Sequence, residues 1–200
     1  MNLASKTMVV AVLGFFVWVM MINFHAVDPG RAYRSSTLSP WELKAISKLY
    51  GIKTIINLRG VEHLPWFYKE QAVAHELGID LINIDMSSRS IPDRHAELKL
   101  VNAFEHAPKP ILIHCWSGSD RSGEASAIYD LVVLKTSKNE ALKMLGTRYM
   151  HFRVFRPAKN YFVRLFQGVN WLLTSYYPCR GQYRYYNDQN PDCRRPIDQQ

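Results

Sequence analysis

Internal repeats and low-complexity tracts are both absent from the sequence, which excludes a repeat architecture. Acidic residues are few: 17 Asp and Glu stand against 25 Lys and Arg. This excess of positive charge favours an anionic partner, namely a phosphorylated molecule, a lipid surface or nucleic acid, and composition alone does not rank the three. A chain of 200 residues with 48% hydrophobic content fits one globular domain with a short segment to spare at either end.

Charge is nearly missing from the N-terminal region, where Lys6 is the only Lys, Arg, Asp or Glu before residue 25. Residues 7–24 read TMVVAVLGFFVWVMMINF, an apolar run about long enough to cross a bilayer. The candidate cleavage positions at residues 23–26 read NFHA, which lacks the pattern of small residues that a signal peptidase requires, so residues 1–26 are predicted to be an uncleaved membrane anchor. The amino terminus and Lys6 on one side nearly balance Arg31, Arg34 and Lys44 on the other, so the flanking charges do not decide the orientation.

Cysteine is scarce, with three residues in the chain. Cys179 and Cys193 both lie in a polar C-terminal tail, predicted as residues 176–200, and they are close enough in sequence to form a disulfide. Such a bond would indicate an oxidising compartment. Two unpaired tail cysteines are the alternative. Cys115 stands apart from both, in a different sequence context.

Strand and helix patterns alternate between the anchor and the tail. Apolar or β-branched runs typical of strands occupy residues 31–35, 52–58, 79–84 and 111–113. Helical patterns cover residues 39–51, 65–77, 95–107, a stretch that starts between 118 and 123 and ends near 134, 137–145 and 157–173. Ser39 and Glu42 form a capping box with Pro40 at the first helical position. This alternation predicts one α/β domain over residues 30–175.

One segment, HCWSGSDRSG at residues 114–123, joins a strand to the following helix. It places Arg121 six positions after Cys115, so the residues between them can curl into a cup. Backbone N–H groups that point into such a cup, together with the positive end of the helix, favour a bound dianion. The same field favours the thiolate form of Cys115. The planar guanidinium of Arg121 can hold two oxygens of a phosphate group.

This arrangement predicts phosphoryl transfer by way of a covalent intermediate. Cys115 would attack phosphorus to give a phosphocysteine, which water then hydrolyses. A carboxyl group must protonate the departing oxygen, and both Asp85, in the loop after the preceding strand, and Asp120, inside the cup, are candidates. Ser122 is expected to donate a hydrogen bond to the sulfur, and His114 is expected to orient the loop by hydrogen bonds.

The segment HCWSGSDRS resembles the signature of the cysteine-based tyrosine and dual-specificity phosphatases, which is His-Cys, five residues, Arg and then Ser or Thr. The resemblance extends over about residues 33–171, and YRSSTLSPWELKAISKLYGIKTIINLRG is similar to the opening of small bacterial dual-specificity phosphatases. It implies an α/β fold with a central, mostly parallel sheet of four to five strands flanked by helices, here preceded by a transmembrane helix. It also implies that no metal or other cofactor is needed and that phosphate is bound by Trp116, Ser117, Gly118, Ser119, Asp120 and Arg121.

The activity that this resemblance implies is that of a membrane-anchored phosphatase acting on phosphotyrosine, phosphoserine or phosphothreonine in proteins. Phospholipid or glycan phosphates are the alternative substrates. Because some similar enzymes are exported, the catalytic domain is expected in the periplasm, on a single-pass protein of the bacterial inner membrane held by residues 7–24. No nucleic-acid partner is expected, since the Tyr- and Arg-rich stretch at residues 176–186 has no recognisable binding fold around it.

The resemblance leaves the proton donor open. Many dual-specificity members carry the acid about thirty residues before the cysteine, which fits Asp85, and this assignment is slightly favoured. Another group, which includes bacterial enzymes active on lipid phosphates, has Asp immediately before the loop arginine, which fits Asp120. Trp116 stands where related loops often hold Lys, and this weakens the expectation of a polyanionic inositide substrate.

Two other functions are compatible with part of this sequence pattern. Sulfurtransferases of the rhodanese kind space cysteine and arginine by four residues, whereas the gap here is five. A catalytically inactive phosphate-binding module is disfavoured because Cys115, Arg121 and Ser122 are all present. Arg59 follows a strand near the edge where ligands bind in such sheets, but a structural salt bridge is the expected role. The basic run of Arg148, His151, Arg153 and Arg156 could contact a substrate or lipid headgroups, and a solvated surface is the favoured expectation.

Overall fold

The computed structural model describes residues 22–61 and 63–186. In this part the chain forms a five-stranded sheet with the strand order β1, β2, β5, β3, β4. The strands are β1 (His25–Asp28), β2 (Ala32–Ser35), β3 (Thr54–Asn57), β4 (Asp80–Asn83) and β5 (Ile111–His114). β1 runs antiparallel to β2, and the other neighbouring pairs are parallel. The predicted α/β fold with a mostly parallel sheet is therefore confirmed.

Helices separate and follow the strands. Within the described ranges they are α1 (Pro40–Tyr50), α2 (Pro65–Leu77), α3 (Arg94–His106), α4 (Arg121–Val132), α5 (Lys138–Ala141), α6 (Pro157–Leu165) and α7 (Val169–Thr174). The prediction of a single helix over residues 157–173 is wrong. Phe166 is extended and Gly168 has a φ of 101°, so the helical conformation is interrupted between α6 and α7. The helix predicted to reach residue 145 tightens into a 3₁₀ segment at Leu142–Leu145.

The two ends of α1 follow from local sequence. The N–H of Ser39 donates to Oε2 of Glu42 at 2.7 Å, which completes the predicted capping box. Gly51 ends the helix in the left-handed conformation at φ 64°, and its missing side chain makes that turn inexpensive. The chain then enters β3 after a short connection, so this helix and the strand are fixed relative to each other.

Apolar side chains cover both faces of the sheet. One core contains Ile56, Ile111 and Ile113 packed against the helices on one face, while Ile55 and Leu112 belong to a second core on the other. Alternate residues of a strand point to opposite faces, so a strand with apolar residues at consecutive positions must be buried on both. The described domain is thus a sheet between two helical layers, and its functional side chains lie at the ends of the strands.

The predicted anchor lies almost entirely outside the described residues, which begin at Ile22, and His25 and Ala26 belong to β1. Within the described ranges, no helix combines the length and the apolar character that crossing a membrane requires. Tyr176, the first residue of the predicted tail, is fully buried. Cys179 is disulfide-bonded, whereas its predicted partner, Cys193, lies outside the described residues.

Candidate active site

The segment of residues 115–121, called the cup below, lies at the carboxyl end of β5. Cys115 follows the strand directly, and Arg121 is the first residue of α4. β5 is flanked by β2 and β3, both parallel to it, and β4 is parallel to β3. The loops that follow β3, β4 and β5 therefore begin at the same edge of the sheet. Ligands of open α/β sheets bind outside this edge. The fold therefore gathers the segments that carry Cys115, Asp85 and Arg59.

The first three carbonyl groups of the cup are bound by donors from outside it. Oγ1 of Thr37 donates to the carbonyl oxygen of Cys115 at 2.9 Å, and the Thr37 N–H donates to that of Trp116 at 3.1 Å. Nδ2 of Asn23 donates to the carbonyl oxygen of Ser117 at 3.0 Å. Neither Thr37 nor Asn23 was assigned this role from the sequence, since both are small polar residues far from the cup along the chain.

Arg34 of β2 binds the next two carbonyl groups. Its Nη2 donates to Gly118 at 2.6 Å and to Ser119 at 3.2 Å, and its Nη1 donates to the Met144 carbonyl at 2.7 Å. The guanidinium also lies over the ring of Tyr149, 4.3 Å from its centroid. Burial lowers the pKa of Arg34 to about 10, so the side chain stays charged at neutral pH. A charged residue inside a buried strand is a signal for such a role.

The amide groups of the cup are left unbound. Within the described part of the chain, no N–H of residues 116–121 donates to a protein acceptor. Because the carbonyl groups are held from outside, these N–H groups point into the cup, where they suit an anion. The curl depends on Gly118, whose φ is 73° and where an added Cβ would come within 2.7 Å of the Ser35 backbone.

Cys115 and Arg121 lie at the two ends of the cup. Cys115 is a free thiol with 2% of its surface exposed. Nη1 of Arg121 donates to the carbonyl oxygens of Leu58 at 3.2 Å and Met86 at 3.3 Å, which fixes the guanidinium across the sheet edge. Its Nε is buried and has no partner among the described residues, so this side of the fork is available to phosphate oxygens.

Asp120, inside the cup, is held by two basic side chains. Its Oδ1 lies 2.8 Å from Nδ1 of His151, and its Oδ2 lies 3.5 Å from Nε of Arg156. Nε2 of His151 lies in turn 2.8 Å from Oδ1 of Asn160 on α6. His151 is 1% exposed, so its prediction as part of a solvated basic face is wrong. Its ring is buried because it fills the space between the cup and α6.

Asp85 lies at the rim of the cup, after β4. Its backbone forms an isolated antiparallel bridge with Arg59, and the neighbouring Met86 carbonyl binds Arg121. Gly60, at φ 74°, allows this approach, since a Cβ there would lie 2.9 Å from Cβ of Asp85. The Asp85 side chain is exposed, and its carboxylate makes no hydrogen bond or ion pair with a described residue.

Arg59, whose backbone bridges to that of Asp85, forms an aromatic stack beside the cup. Its guanidinium carbon lies 3.5 Å from the ring centroid of Trp66 and 4.7 Å from that of Trp116. Nη1 of Arg59 also donates to Oγ1 of Thr37 at 3.0 Å, and that hydroxyl donates to Cys115. The stack thus connects the loop after β3 to the first residues of the cup.

Two predicted contacts are absent from the structure. The ring of His114 does not bind the cup: its Nε2 lies 2.9 Å from Oε1 of Glu70 on α2, and its Nδ1 has no partner among the described residues. His114 belongs to β5, where its side chain points to the face that α2 covers. The hydroxyl of Ser122 donates to the carbonyl oxygen of Ser35 at 3.4 Å rather than to the sulfur of Cys115.

A buried charge cluster fastens the loop that follows Asp85. Nζ of Lys159 lies 3.0 Å from Oε2 of Glu124 and donates to the Ser90 carbonyl at 2.9 Å. Glu97 is buried beside this pair. Burial raises the pKa of Glu124 to about 7 and raises that of Glu97 well above its ordinary value. Among the described residues, no group of three or more His, Cys, Asp and Glu is placed to hold a metal ion.

A family comparison agrees with this geometry. Residues 21–140, more than half of the chain, match the model of the tyrosine phosphatase family. The matched region contains β1 to β5, the whole cup and Asp85. A search of curated proteins found no match.

Solved structures show the same fold. TpbA of P. aeruginosa in complex with phosphotyrosine is 19% identical, with a TM-score of 0.60, and the match covers 72% of this chain and 85% of that one. The core catalytic domain of the PP-IP phosphatase Siw14 from S. cerevisiae is 24% identical, with a TM-score of 0.61 and the same coverage of 72% and 85%. Tk-PTP in its active form is 21% identical, with a TM-score of 0.53, and the match covers 68% and 86%.

Proposed function

Because this chain belongs to the tyrosine phosphatase family, we propose that it is a membrane-anchored enzyme that hydrolyses phosphate monoesters through a phosphocysteine on Cys115. One observation carries the proposal. Five consecutive carbonyl groups of the cup are bound from outside, which leaves the amides of residues 116–121 facing inward at the start of α4. A ring of N–H donors beside a buried thiol suits a phosphate dianion and an ionised sulfur together.

The first chemical step is attack of the Cys115 sulfur on phosphorus. The S–P bond forms as the bond from phosphorus to the departing oxygen breaks. Nε and Nη2 of Arg121 hold two oxygens of the transferred group while the amides of the cup hold the rest, so the charge of the transition state is stabilised by donors already in place. Because Nη1 is bound to two carbonyl groups, the guanidinium needs no reorientation.

We assign the proton donor to Asp85. It lies at the open rim, its carboxylate has no described partner, and the adjacent residue binds Arg121. Asp85 would give its proton to the departing oxygen and then take a proton from the water that attacks the phosphocysteine, which releases phosphate and the thiolate. Both oxygens of Asp120 already face His151 and Arg156, which supports a role in holding the cup.

The substrate that we propose first is a phosphorylated tyrosine, serine or threonine of a protein. TpbA, which shares the fold, was solved with phosphotyrosine bound. A phosphate carried by a lipid or glycan is the second candidate. It is favoured by the exposed apolar side chain of Trp116, a residue of the cup itself, at 69% exposure.

The test uses the full chain purified in detergent. We expect it to release inorganic phosphate from para-nitrophenyl phosphate, and we expect Cys115→Ser to lose roughly a thousandfold or more of this turnover while keeping its thermal midpoint. A wild-type chain that binds vanadate but releases no phosphate would identify an inactive binding module. Full turnover by Cys115→Ser would exclude the proposed nucleophile.

Anchoring needs a separate test. Membranes from cells that express the full chain are washed at alkaline pH, which removes peripheral proteins. We expect the chain to stay in the membrane pellet because residues 7–24 are apolar over a length that can cross a bilayer. Release of the chain into the wash would contradict the proposed anchor.

A further inference from the structure

A tight turn beside the cup exposes three large apolar side chains. The N–H groups of Phe155 and Arg156 both donate to the Phe152 carbonyl, at 2.9 and 3.2 Å, which folds residues 152–156 back on themselves. The exposed fractions are 88% for Val154, 72% for Phe155 and 51% for Phe152. Adjacent exposed residues of this size mark a contact surface on a protein.

This turn is next to the cup. It forms one wall of a groove of about 410 Å³, and His151 lines the same groove. The ring of His151 is hydrogen-bonded to Asp120 of the cup at 2.8 Å. A molecule or surface that covers the turn would therefore lie beside the cup.

The charges that flank the turn in sequence are of one sign. Arg148 and Arg153 are exposed on either side of His151, whereas Arg156 faces Asp120, and the sequence has no Asp or Glu from residue 141 to residue 187. Apolar side chains flanked by arginines match the interface of an anionic bilayer, where the apolar groups enter the acyl region and the guanidinium groups meet phosphates.

The N-terminal end of the described domain lies beside both the cup and the residues that precede the turn. Asn23 lies at the end of the apolar run of residues 7–24, and its Nδ2 donates both to Ser117 of the cup, at 3.0 Å, and to the Tyr149 carbonyl, at 3.1 Å. Tyr149 lies three residues before the first residue of the turn, Phe152. A chain anchored by residues 7–24 would thus leave the bilayer beside the cup and the turn.

We propose that residues 148–156 form a membrane-contacting surface that holds the cup against an anionic lipid bilayer. Val154 and Phe155 insert between the lipids, and the exposed Arg148 and Arg153 bind headgroups. The cup then receives phosphate monoesters that are displayed at the membrane surface. This inference rests on the proposed anchoring and phosphatase activity, and it adds the orientation of the catalytic domain.

The test measures backbone hydrogen exchange of the full chain inserted in vesicles. One set is made of phosphatidylcholine, and the other of equal parts phosphatidylcholine and phosphatidylglycerol. We expect amides of residues 150–156 to exchange at least roughly threefold more slowly in the anionic vesicles, and we expect high salt to reduce this difference. Equal exchange in both vesicle types would overturn the proposal.

Two variants sharpen this test. Val154→Asp combined with Phe155→Asp should abolish the lipid-dependent protection, because inserting carboxylates at an anionic surface is unfavourable. Leu49→Asp is the matched control, since Leu49 is an apolar side chain at 76% exposure on α1, and it should keep the protection. Loss of protection in both variants, or in neither, would count against the surface.

The outcomes also separate other occupants of the turn. If the double variant lowers the thermal midpoint in detergent without vesicles, the turn packs against the chain's own N-terminal segment and the proposal fails. If protection in wild type requires a phosphopeptide rather than anionic lipid, the turn is a protein-docking surface. The phosphatase proposal is tested separately, by the turnover of para-nitrophenyl phosphate by the wild-type chain. Absence of that turnover would contradict the phosphatase activity and leave the exchange result for the turn unchanged.

Discussion

The carboxylate of Asp120 accepts a hydrogen bond from His151 at 2.8 Å, although the two residues are 31 positions apart. Because Asp120 is the last residue of the cup before Arg121, this bond holds the cup where it meets α4. The other ring nitrogen of His151 lies 2.8 Å from Asn160, so the histidine is fixed from both sides. We infer that His151 is a positioning residue for the cup.

Replacing His151 should therefore change catalysis through Asp120. We expect His151→Ala to lower kcat for para-nitrophenyl phosphate roughly tenfold, since losing a hydrogen bond to a charged group costs about 1.5 kcal/mol. His151→Asn should recover most of the rate, because its amide can still donate to Asp120. Measured kcat and KM check this, with thermal midpoints as the control. Equal rates for the alanine variant and wild type would show that the contact has no catalytic role.

The assignment of the proton donor can be tested through the leaving group. Phenyl phosphate needs protonation of its departing oxygen, whereas para-nitrophenyl phosphate needs little. We expect Asp85→Asn to slow hydrolysis of phenyl phosphate by roughly a hundredfold and that of para-nitrophenyl phosphate far less. Asp120→Asn should slow both substrates by similar factors. The reverse pattern, with selectivity in the Asp120 variant, would move the acid role to Asp120.

The parts of the site that could be predicted are those encoded locally. Cys115 and Arg121 fall between a strand and a helix whose patterns are clear within ten residues, so the cup could be placed from the sequence. The side chains that bind its carbonyl groups could not be predicted, because they are distant in sequence. Arg34 is 84 positions from Gly118, and Asn23 is 94 positions from Ser117. These contacts exist because β1 pairs with β2 and β2 pairs with β5, and a single sequence does not give the order of strands in a sheet.

The same reason explains the two misplaced side chains. A residue type suggests which bonds a group can make, but the face of the strand decides which bonds it does make. His114 lies on the face that α2 covers and pairs with Glu70 there. The strand order also brings the carbonyl group of Ser35 within 3.4 Å of the Ser122 hydroxyl.

Arg34 should be indispensable to the shape of the cup. We expect Arg34→Met to lower kcat/KM for para-nitrophenyl phosphate by roughly a hundredfold, because losing the bonds to Gly118 and Ser119 costs about 3 kcal/mol. Arg31→Met is the matched control, since Arg31 has 59% of its side chain exposed and should tolerate the change. Equal kcat/KM in the two variants would contradict this role.

Glu124 should make the stability of the protein depend on pH. Burial raises its pKa from 4.5 to about 7, so between these values the folded chain keeps a proton that the unfolded chain releases. The folded state then binds more protons, and the free energy of unfolding must fall as pH rises through this window. Lys159 lowers the pKa of Glu124 and so weakens this pH dependence of stability. The raised pKa of Glu97, buried beside the pair, strengthens it.

Glu124→Gln should therefore flatten the dependence of stability on pH. We expect the slope of the unfolding free energy between about pH 5 and 7 to become less negative by up to about 1.4 kcal/mol per pH unit, which corresponds to one proton. Urea unfolding of the full chain in detergent measures it. Asp130, whose pKa burial raises to about 7, keeps part of the slope in every variant. Glu105→Gln, at an exposed position on α3, should leave the wild-type slope, and an unchanged slope in Glu124→Gln would mean that Glu124 is already ionised throughout this window.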